Sequence, residues 1–590
     1  MARTNAVTRA IAGTPVKKKD VDVWIEGRWV MYCPTFAPAP EVPEWGGRYE
    51  KRRQVYRLPK LTRLLKKILQ YDPDARFSRD AIRLRDQDWE ERDEQVWDST
   101  CSAAFNYPLL YPYQQIACHS LVTRPYHGEM LALSPGLGKT PTSIVAADQW
   151  VHEHGESKRI CVVAPLSLLR NWEREILKWS SDPRVEVCHQ EAPSADRSVR
   201  WTVTNYDSIM ERVQDPNTKR WSASGNLKED FDFDWDVVIF DESVLLKNRK
   251  SKRTSAARTL ARNAKRVWLL SGAPITRDNS DIWSQFNIIE PDYFSSFWRL
   301  ANEFCVVVKT PWSQGTIMGS RKNIHLREEY PEIMFVRNQE QVLPDLPEYI
   351  FQDVELALHP KQQKAHDDVI TQWIHELEEN RDKRVEVTAV IAMLVRLQQI
   401  TSNLYNLETT GTSWPDYSSK ADFVEEVLDE GEVEWPVLIW THHRPGATAL
   451  KDRLTKRTKK KDSALYGRRV ALVYGGTRDA DQTIEDFKAG KVDVLILGIQ
   501  VGKYGHTLVN TRTVITYDKT WDSDAWFQML HRVRRNGLRH RPLVINPRCR
   551  GTVDDFVELN LAGKLPAMAN LTGAGLASIL RSLGEDRVTT

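Results

Sequence analysis

The stretch Leu131-Ala-Leu-Ser-Pro-Gly-Leu-Gly-Lys-Thr140 constrains this chain more than any other. A short apolar run ends in a glycine-rich loop, followed by Lys139, Thr140 and a helix-compatible segment. Gly136 and Gly138, with Leu137 between them, let backbone N–H groups turn inward without a Cβ clash, which is how a chain cradles phosphate. Lys139 can reach β- and γ-phosphates, and the Thr140 hydroxyl can ligate Mg²⁺. The helix that follows presents its positive end to the anion. Leu133 stands where such loops usually carry their first glycine.

The surroundings fit a nucleotide fold. From about 105 to 295, apolar strand candidates at 130–133, 160–164, 201–204, 237–240 and 267–270 alternate with helical patterns. That alternation predicts an α/β, doubly wound parallel sheet, with ligands at the carboxyl ends of the strands. Val237-Val-Ile-Phe-Asp-Glu242 delivers two adjacent acids at such an end. Asp241 can hold a Mg²⁺ shell while Glu242 orients and deprotonates the attacking water. The bland alternative is a strand ending in a solvated acidic turn. Ser271-Gly-Ala-Pro274 suits a tight turn beside a nucleotide, and equally an ordinary strand-to-helix turn.

From about 296 to 417 the alternation stops, and residues 360–400 carry helical periodicity, with Leu394, Leu397 and Ile400 spaced for one face. A helical insertion is expected there. A second alternating lobe runs from about 418 to 560, with strands at 437–440, 470–474, 494–497, 514–517 and 543–545 and no second phosphate loop. In Gln528-Met-Leu-His-Arg-Val-Arg-Arg535, a helix would place Gln528, Arg532 and Arg535 on one side. Two fixed cations aimed at one place suit transition-state charge on a γ-phosphate. A basic helix facing duplex or solvent is the other reading, and Arg534 is assigned to it. With the cradle and acids in one lobe and the arginines in the other, hydrolysis would require the lobes to close.

Charge does not announce a partner. Lys and Arg total 83 against 80 Asp and Glu, for a net charge of +3, so a nucleic-acid groove would have to come from local clustering. The seven cysteines are scattered without a C-x-x-C pair, which argues against a zinc module or a disulfide framework and fits a reducing interior. No apolar run is long enough to span a membrane. The expected setting is intracellular: cytoplasm or nucleoid, or host cytoplasm for a viral chain. Residues 1–20 read as a flexible basic arm, 21–104 as an accessory module and 561–590 as a small-residue tail. In the module, 21–32 alternates as a hairpin would, with its turn at Glu26-Gly27, ahead of a proline-rich connector at 34–43. The mixture of aromatics and arginines at 45–59 fits nucleic-acid binding by charge and stacking, or a small β-module with arginines on its wet face. The 21 tryptophans are read mostly as packing anchors.

Between about 110 and 556 the residues resemble, in order, the SWI/SNF-type DNA-dependent ATPases of helicase superfamily two. Tyr113-Gln114 resembles the glutamine motif, which in that family reads adenine. Val163-Ala-Pro-Leu-Ser-Leu-Leu-Arg-Asn-Trp172, Thr204-Asn-Tyr206 and Asp241-Glu-Ser-Val-Leu-Leu-Lys-Asn248 match successive motifs. Leu270-Ser-Gly-Ala-Pro274 resembles the motif that couples ATP to DNA, and Leu397-Gln-Gln-Ile400 a segment of the family's insertion. Gly502, Gly505 and Leu508, then Trp521 and Asp524, then Gln528, Arg532, Arg535 and Gly537 fit the last motifs. The chain departs from the pattern at Ser243 for alanine, Val244 for histidine and Ala273 for threonine, and His531 and Arg534 vary the last motif. These changes bear on coupling rather than on hydrolysis. Gly319-Ser-Arg-Lys-Asn323 and Phe335-Val-Arg337 look like the branch that rewinds DNA and remodels forks.

The resemblance implies two tandem RecA-like lobes and an ATP-dependent translocase on double-stranded or forked DNA that remodels or reanneals DNA or displaces bound proteins, in repair or replication. ATP and Mg²⁺ would be held by Gln114, Gly136, Leu137, Gly138, Lys139, Thr140, Asp241, Gly505 and Gln528. Thr204, Asn205, Ser271, Gly502 and His506 would contact DNA. A monomer is expected. The rival readings are a nucleotide-dependent DNA-binding scaffold with little turnover, and a true strand-separating helicase or RNA-dependent ATPase.

Overall fold

The computed structural model describes residues 21–26, 29–35, 39, 41–43, 45–51, 53–87, 109–194, 198–215, 218–310, 313–322, 325–379, 387–407, 415–502 and 507–561. The chain divides into two compact units, Met1–Val342 and Leu343–Thr590. Among the described residues no helix is long and apolar enough to cross a membrane.

The first unit opens with a four-stranded antiparallel sheet of β1 (Val23–Glu26), β2 (Trp29–Tyr32), β3 (Arg48–Glu50) and β4 (Val55–Pro59), in the order β1-β2-β4-β3. Glu26 pairs with Trp29, so the alternating 21–32 segment does form the hairpin its pattern predicts. Arg57 lies 4.3 Å over the Trp29 ring, Arg53 pairs with Glu26 at 2.8 Å, and the largely exposed Arg48 pairs with Asp292 at 3.3 Å.

The helix Thr62–Tyr71 follows with no side-chain cap of its own. Glu332, from far along the chain, supplies one by accepting from Thr62 N at 3.0 Å. Arg63 is clamped beside it, with Tyr330 Oη at 2.6 Å, Glu329 Oε2 at 3.2 Å and Glu303 as a further partner. Val23, Val30, Leu58, Leu64 and Ile68 of this module share one apolar cluster with Met130, Val163, Phe240 and Leu269. The module is therefore part of the first unit's core, not a separate bead.

The main sheet of the unit is built from β5 (Gly128–Leu133), β6 (Ile160–Ala164), β7 (Val185–Cys188), β8 (Trp201–Asn205), β11 (Trp235–Asp241), β12 (Ala264–Ser271) and β15 (Met334–Arg337), in the order β15-β5-β12-β11-β6-β8-β7. Every pairing in it is parallel. Strands β5, β6, β8 and β11 are buried along their whole length, as near-continuous apolar runs in a two-sided sheet must be. Trp172, Trp201, Trp235 and Trp268 are fully buried within the unit, which is the anchoring role expected of them. Two ribbons lie outside the sheet: β9 (Met210–Gln214) with β10 (Trp221–Leu227), and β13 (Cys305–Thr310) with β14 (Ser313–Ser320).

In the second unit β16 (Ile350–Leu356), β17 (Val437–Thr441), β18 (Val470–Val473), β19 (Val494–Gly498), β20 (Thr513–Thr516) and β21 (Leu543–Cys549) form a parallel sheet in the order β16-β21-β20-β17-β19-β18. The α/β class and the paired doubly wound sheets expected from the sequence are what the chain adopts. The expected helical insertion at 296–417 needs correction. Only the helices Pro360–Glu379 and Val387–Ser402 answer its periodicity. Earlier in that stretch β15 extends the first sheet beside β5, and β16 extends the second beside β21. Both are edge strands whose only partners lie far along the chain, so no local alternation announces them.

The clamp on Arg63 carries a stability prediction. Its side chain is 14 % exposed and sits among three acceptors and two rings. Arg63→Ala leaves Glu303 and Glu329 without that cation and is expected to cost about 1–3 kcal/mol. The urea transition of the first unit, followed by tryptophan fluorescence, reads this; an unchanged midpoint would mean that the clamp contributes nothing.

Candidate functional site

Five neighbouring strands of the first sheet deliver their carboxyl ends to one edge. The loop after β5 holds Ser134 to Gly138, and the helix Lys139–His154 starts there with Gly138 as its cap at φ +74°. A Cβ on Gly138 would also lie 2.1 Å from Gln114 Nε2, so backbone angle and packing both require glycine. Gln114 is buried; its Nε2 donates to Leu137 O at 3.0 Å and its Oε1 accepts from Tyr111 N at 2.8 Å. Tyr113 Oη donates to the same carbonyl at 3.2 Å. The Tyr113-Gln114 pair thus braces the phosphate loop. The other rim of the loop is tied to β15, where Arg337 O accepts from Ser134 N at 3.1 Å.

Lys139 Nζ donates to Leu133 O at 2.9 Å. This explains why leucine is tolerated at a position that such loops usually give to glycine. Leu133 contributes only its carbonyl, while its side chain is fully buried in the core.

The acids stand one strand away. Between β5 and β11 lies β12 alone, so the two loops are separated by about 9–10 Å, room for phosphate oxygens and a cation. Asp241 is buried, accepting from Trp172 Nε1 at 2.8 Å and from Glu242 N at 3.0 Å. Burial first, then the neighbouring Glu242 charge, pushes its carboxyl up to about 6, while the Trp172 N–H and the Lys139 ammonium pull the other way. Tyr206 Oη donates to Asp241 O at 2.7 Å. Glu242 sits at φ +49°, a left-handed conformation costly for a residue with a side chain and typical of functional turns. Three motifs that the sequence spreads over 172, 206 and 241 thus meet on one residue.

The turn after β12 closes the floor. A Cβ on Gly272 would lie 2.9 Å from Pro135 Cγ and 3.5 Å from Lys139 Nζ, so this turn packs directly on the phosphate loop. A buried carboxylate with an elevated pKa, beside a lysine and facing a loop of N–H groups, is a fitting place for a divalent cation carrying phosphate. Asp241 and Thr140 are the residues that would hold Mg²⁺, which supplies charge neutralisation on the phosphates.

The residues expected on DNA are placed differently. Thr204, Asn205 and Ser271 are all buried. Thr204 Oγ1 donates to Cys188 O at 2.9 Å, Asn205 Oδ1 accepts from Ser208 Oγ, and Ser271 Oγ accepts from Ala273 N at 3.3 Å. Their side chains hold the turns, and only their backbone and neighbours are left for a duplex. Gly502 is buried in the second unit, where a Cβ would lie 2.2 Å from the Trp440 ring. Gly505 and His506 lie outside the described residues, as do the 1–20 arm and residues 562–590 of the tail.

In the second unit Gln528 and Arg532 lie on the helix Ser523–Val533. That helix stops two residues before Arg535, so helical spacing does not place Arg535 as the sequence predicts. Hydrogen bonds hold it instead: its Nε donates to His531 O at 2.9 Å and its Nη1 to Thr507 Oγ1 at 2.7 Å. Burial and the nearby Arg532 cation press its pKa well below the usual arginine value. Arg532 O in turn accepts from Leu508 N at 2.8 Å. Arg534, assigned above to a duplex- or solvent-facing role, is partly exposed and tied into its own unit. Its side chain donates to Pro347 O at 3.1 Å and Leu346 O at 3.4 Å, a staple on the segment before β16. Gln398 of the insertion motif holds the spacer, donating to Lys519 O at 2.6 Å and accepting from Trp521 Nε1 at 3.2 Å. Thr507 and Gln285 (below) carried no sequence signal, because neither belongs to a glycine-rich or charged pattern.

Two family models match this chain. The model of the SNF2-related domain matches residues 76–406, and that of the helicase conserved C-terminal domain matches 419–537. The chain is 26% identical over 456 residues to the Xenopus tropicalis SWI/SNF-related matrix-associated actin-dependent regulator of chromatin subfamily A-like protein 1, covering 76% of this chain and 43% of that protein. It is 23% identical over 466 residues to the putative ATP-dependent helicase/translocase YwqA of Bacillus subtilis, covering 77% and 48%. The chain spans less than half the length of these curated relatives. A solved Sulfolobus solfataricus SWI2/SNF2 ATPase core in complex with dsDNA is 21% identical, with a TM-score of 0.34 over 80% of this chain and 94% of that one. The Hef helicase domain of Pyrococcus furiosus is 15% identical, with a TM-score of 0.45 over 76% and 96%.

The Asp241 environment fixes a pH dependence. A carboxyl that titrates near 6 is ionised at about pH 7.5 and loses its charge as pH falls through that value. Binding of Mg²⁺ with a fluorescent ADP analogue is expected to weaken along the same curve. Trp172→Phe removes the N–H that lowers the pKa, so the midpoint is expected to move toward neutral pH. Affinity that stays flat from about pH 5 to 8 in both proteins would contradict this account.

Proposed function

We propose that this chain, which belongs to the SNF2-related family, hydrolyses ATP and uses the energy to move along double-stranded DNA. The observation that carries the reading is the convergence of Lys139, Asp241 and Glu242 on one sheet edge. Lys139 leaves the Leu133 carbonyl for the β- and γ-phosphates. Asp241 and Thr140 take the metal. Glu242, on its left-handed turn, orients water in line with the terminal phosphorus and accepts its proton. Arg532 and Arg535 supply the cations that stabilise charge on the transferred phosphoryl group. Gln114 holds the loop and reads adenine only if its bond to Leu137 O is exchanged.

Duplex DNA is proposed as the track because the chain's motifs resemble those of the SWI/SNF-type DNA-dependent ATPases; one relative over most of this chain is named a putative ATP-dependent helicase/translocase. The backbone of the 205–207 and 271–274 turns, Gly502 and His506 are the proposed contacts. Binding through phosphates predicts steep weakening with salt.

Steady-state ATPase with blunt duplex, forked, single-stranded DNA and RNA tests the reading. Duplex or fork DNA is expected to stimulate turnover. Glu242→Gln is expected to lower kcat by about 10²–10⁴ while nucleotide still binds, and Arg535→Ala by about 10³ or more. Lys139→Ala is expected to lose binding and turnover together. Equal, negligible turnover in all these proteins would instead indicate a nucleotide-dependent scaffold. Stimulation by RNA alone would overturn the choice of track.

A further inference from the structure

The acidic turn and the 271–274 turn end neighbouring strands, with Asp241 in register with Leu270. Three departures from the family pattern fall here, Ser243, Val244 and Ala273, and of these Val244 and Ala273 have apolar side chains that cannot hydrogen-bond across the gap. One buried amide spans it instead. Gln285 lies on the helix Ile282–Ile289 and is fully buried. Its Oε1 accepts from Ser243 Oγ at 2.8 Å, and its Nε2 donates to Pro274 O at 2.8 Å.

The direction of this relay is set by chemistry. The Pro274 carbonyl can only accept, so Nε2 must face it; Oε1 then faces Ser243, whose hydroxyl must donate. Reversing the amide would put two acceptors against each other in a dry interior. A second connection runs one helical turn earlier. Lys247 Nζ donates to Thr276 Oγ1 at 2.5 Å, and Asp281 Oδ2 accepts from Thr276 Oγ1 at 2.8 Å and from Arg277 N at 2.9 Å. Asp281 and Gln285 are four residues apart, so one face of this helix grips both turns.

We propose that Gln285 is a positioning residue that passes the state of the nucleotide from the acidic turn to the 271–274 turn, through the Ser243 hydroxyl and the Pro274 carbonyl. Any shift of Glu242 and Ser243 on nucleotide binding moves the Gln285 amide, which cannot slide without loosening its bond to Ser243 or to Pro274; its remaining bond, from Nε2 to Asp281 O at 3.4 Å, only ties it back to the start of its own helix. The floor of the phosphate loop, where Gly272 packs on Pro135, moves with it. This inference rests on the nucleotide site proposed above.

Hydrogen exchange of the 272–277 amides in the full chain tests it without DNA. In the native protein, saturating Mg²⁺ with a non-hydrolysable ATP analogue is expected to slow exchange there by about tenfold. In Gln285→Leu, and in the milder Ser243→Ala, the analogue is expected to bind within about twofold of the native affinity, yet the added protection is lost. The double variant should lose no more than either single one. DNA-stimulated kcat is expected to fall by about tenfold in the same variants while KM for ATP holds. Protection that persists in both variants, or is absent from the native protein with analogue bound, overturns the relay. Failure of the native chain to bind the analogue at all would instead overturn the nucleotide site, and the relay with it.

Discussion

The first unit is organised around a single electrostatic problem: a carboxylate, Asp241, held at the buried end of an apolar strand. An ionised acid in such a place needs donors or cations close by. The chain provides Trp172 Nε1 from the helix after β6, the Glu242 amide from its own turn, and the Lys139 ammonium from the loop after β5. Each partner arrives from a different strand end, so satisfying this one group fixes three loops against one another. Tyr206 adds a fourth through the Asp241 carbonyl. Even so, the carboxyl titrates near 6, which means that the protein's own donors do not fully compensate its burial.

Much of this was legible because the relevant residues are local signals. A glycine-rich loop between an apolar run and a helix names itself, and so does a seven-residue buried strand ending in two acids. The strands 160–164 and 237–240 read correctly because fully buried parallel strands are unbroken apolar runs. What escaped the sequence depends on distant partners. β15 is four residues long and has meaning only beside β5. Arg535 lies past the end of its helix, and the bond to Thr507 that aims it joins residues no periodicity connects. Thr204, Asn205 and Ser271 carry polar side chains at strand ends, where solvent-facing and inward-facing hydroxyls look alike in sequence.

The departures from the family pattern become intelligible once the group that does the work at each position is identified. At 133 it is a carbonyl, which leucine supplies as well as glycine does. At 272 it is the absence of a Cβ, because the turn must approach Pro135, and that position keeps its glycine. At 244 and 273 the polar side chains are gone, but a hydroxyl has appeared at 243, where Gln285 meets it. A motif letter is therefore a poor proxy for a lost function when the physical requirement is met by backbone or by a neighbour.

The second unit poses the opposite electrostatic problem. Arg532 is close enough to Arg535 to depress its pKa, where burial already disfavours the Arg535 charge. Arginine does not relieve such strain by losing its proton, since its pKa starts too high. Arg535 donates to a carbonyl and a hydroxyl, both neutral, so these bonds orient the guanidinium without cancelling its charge. The Arg535 charge is thus held beside that of Arg532 at a cost. In the function proposed for this chain, an anion would relieve that cost.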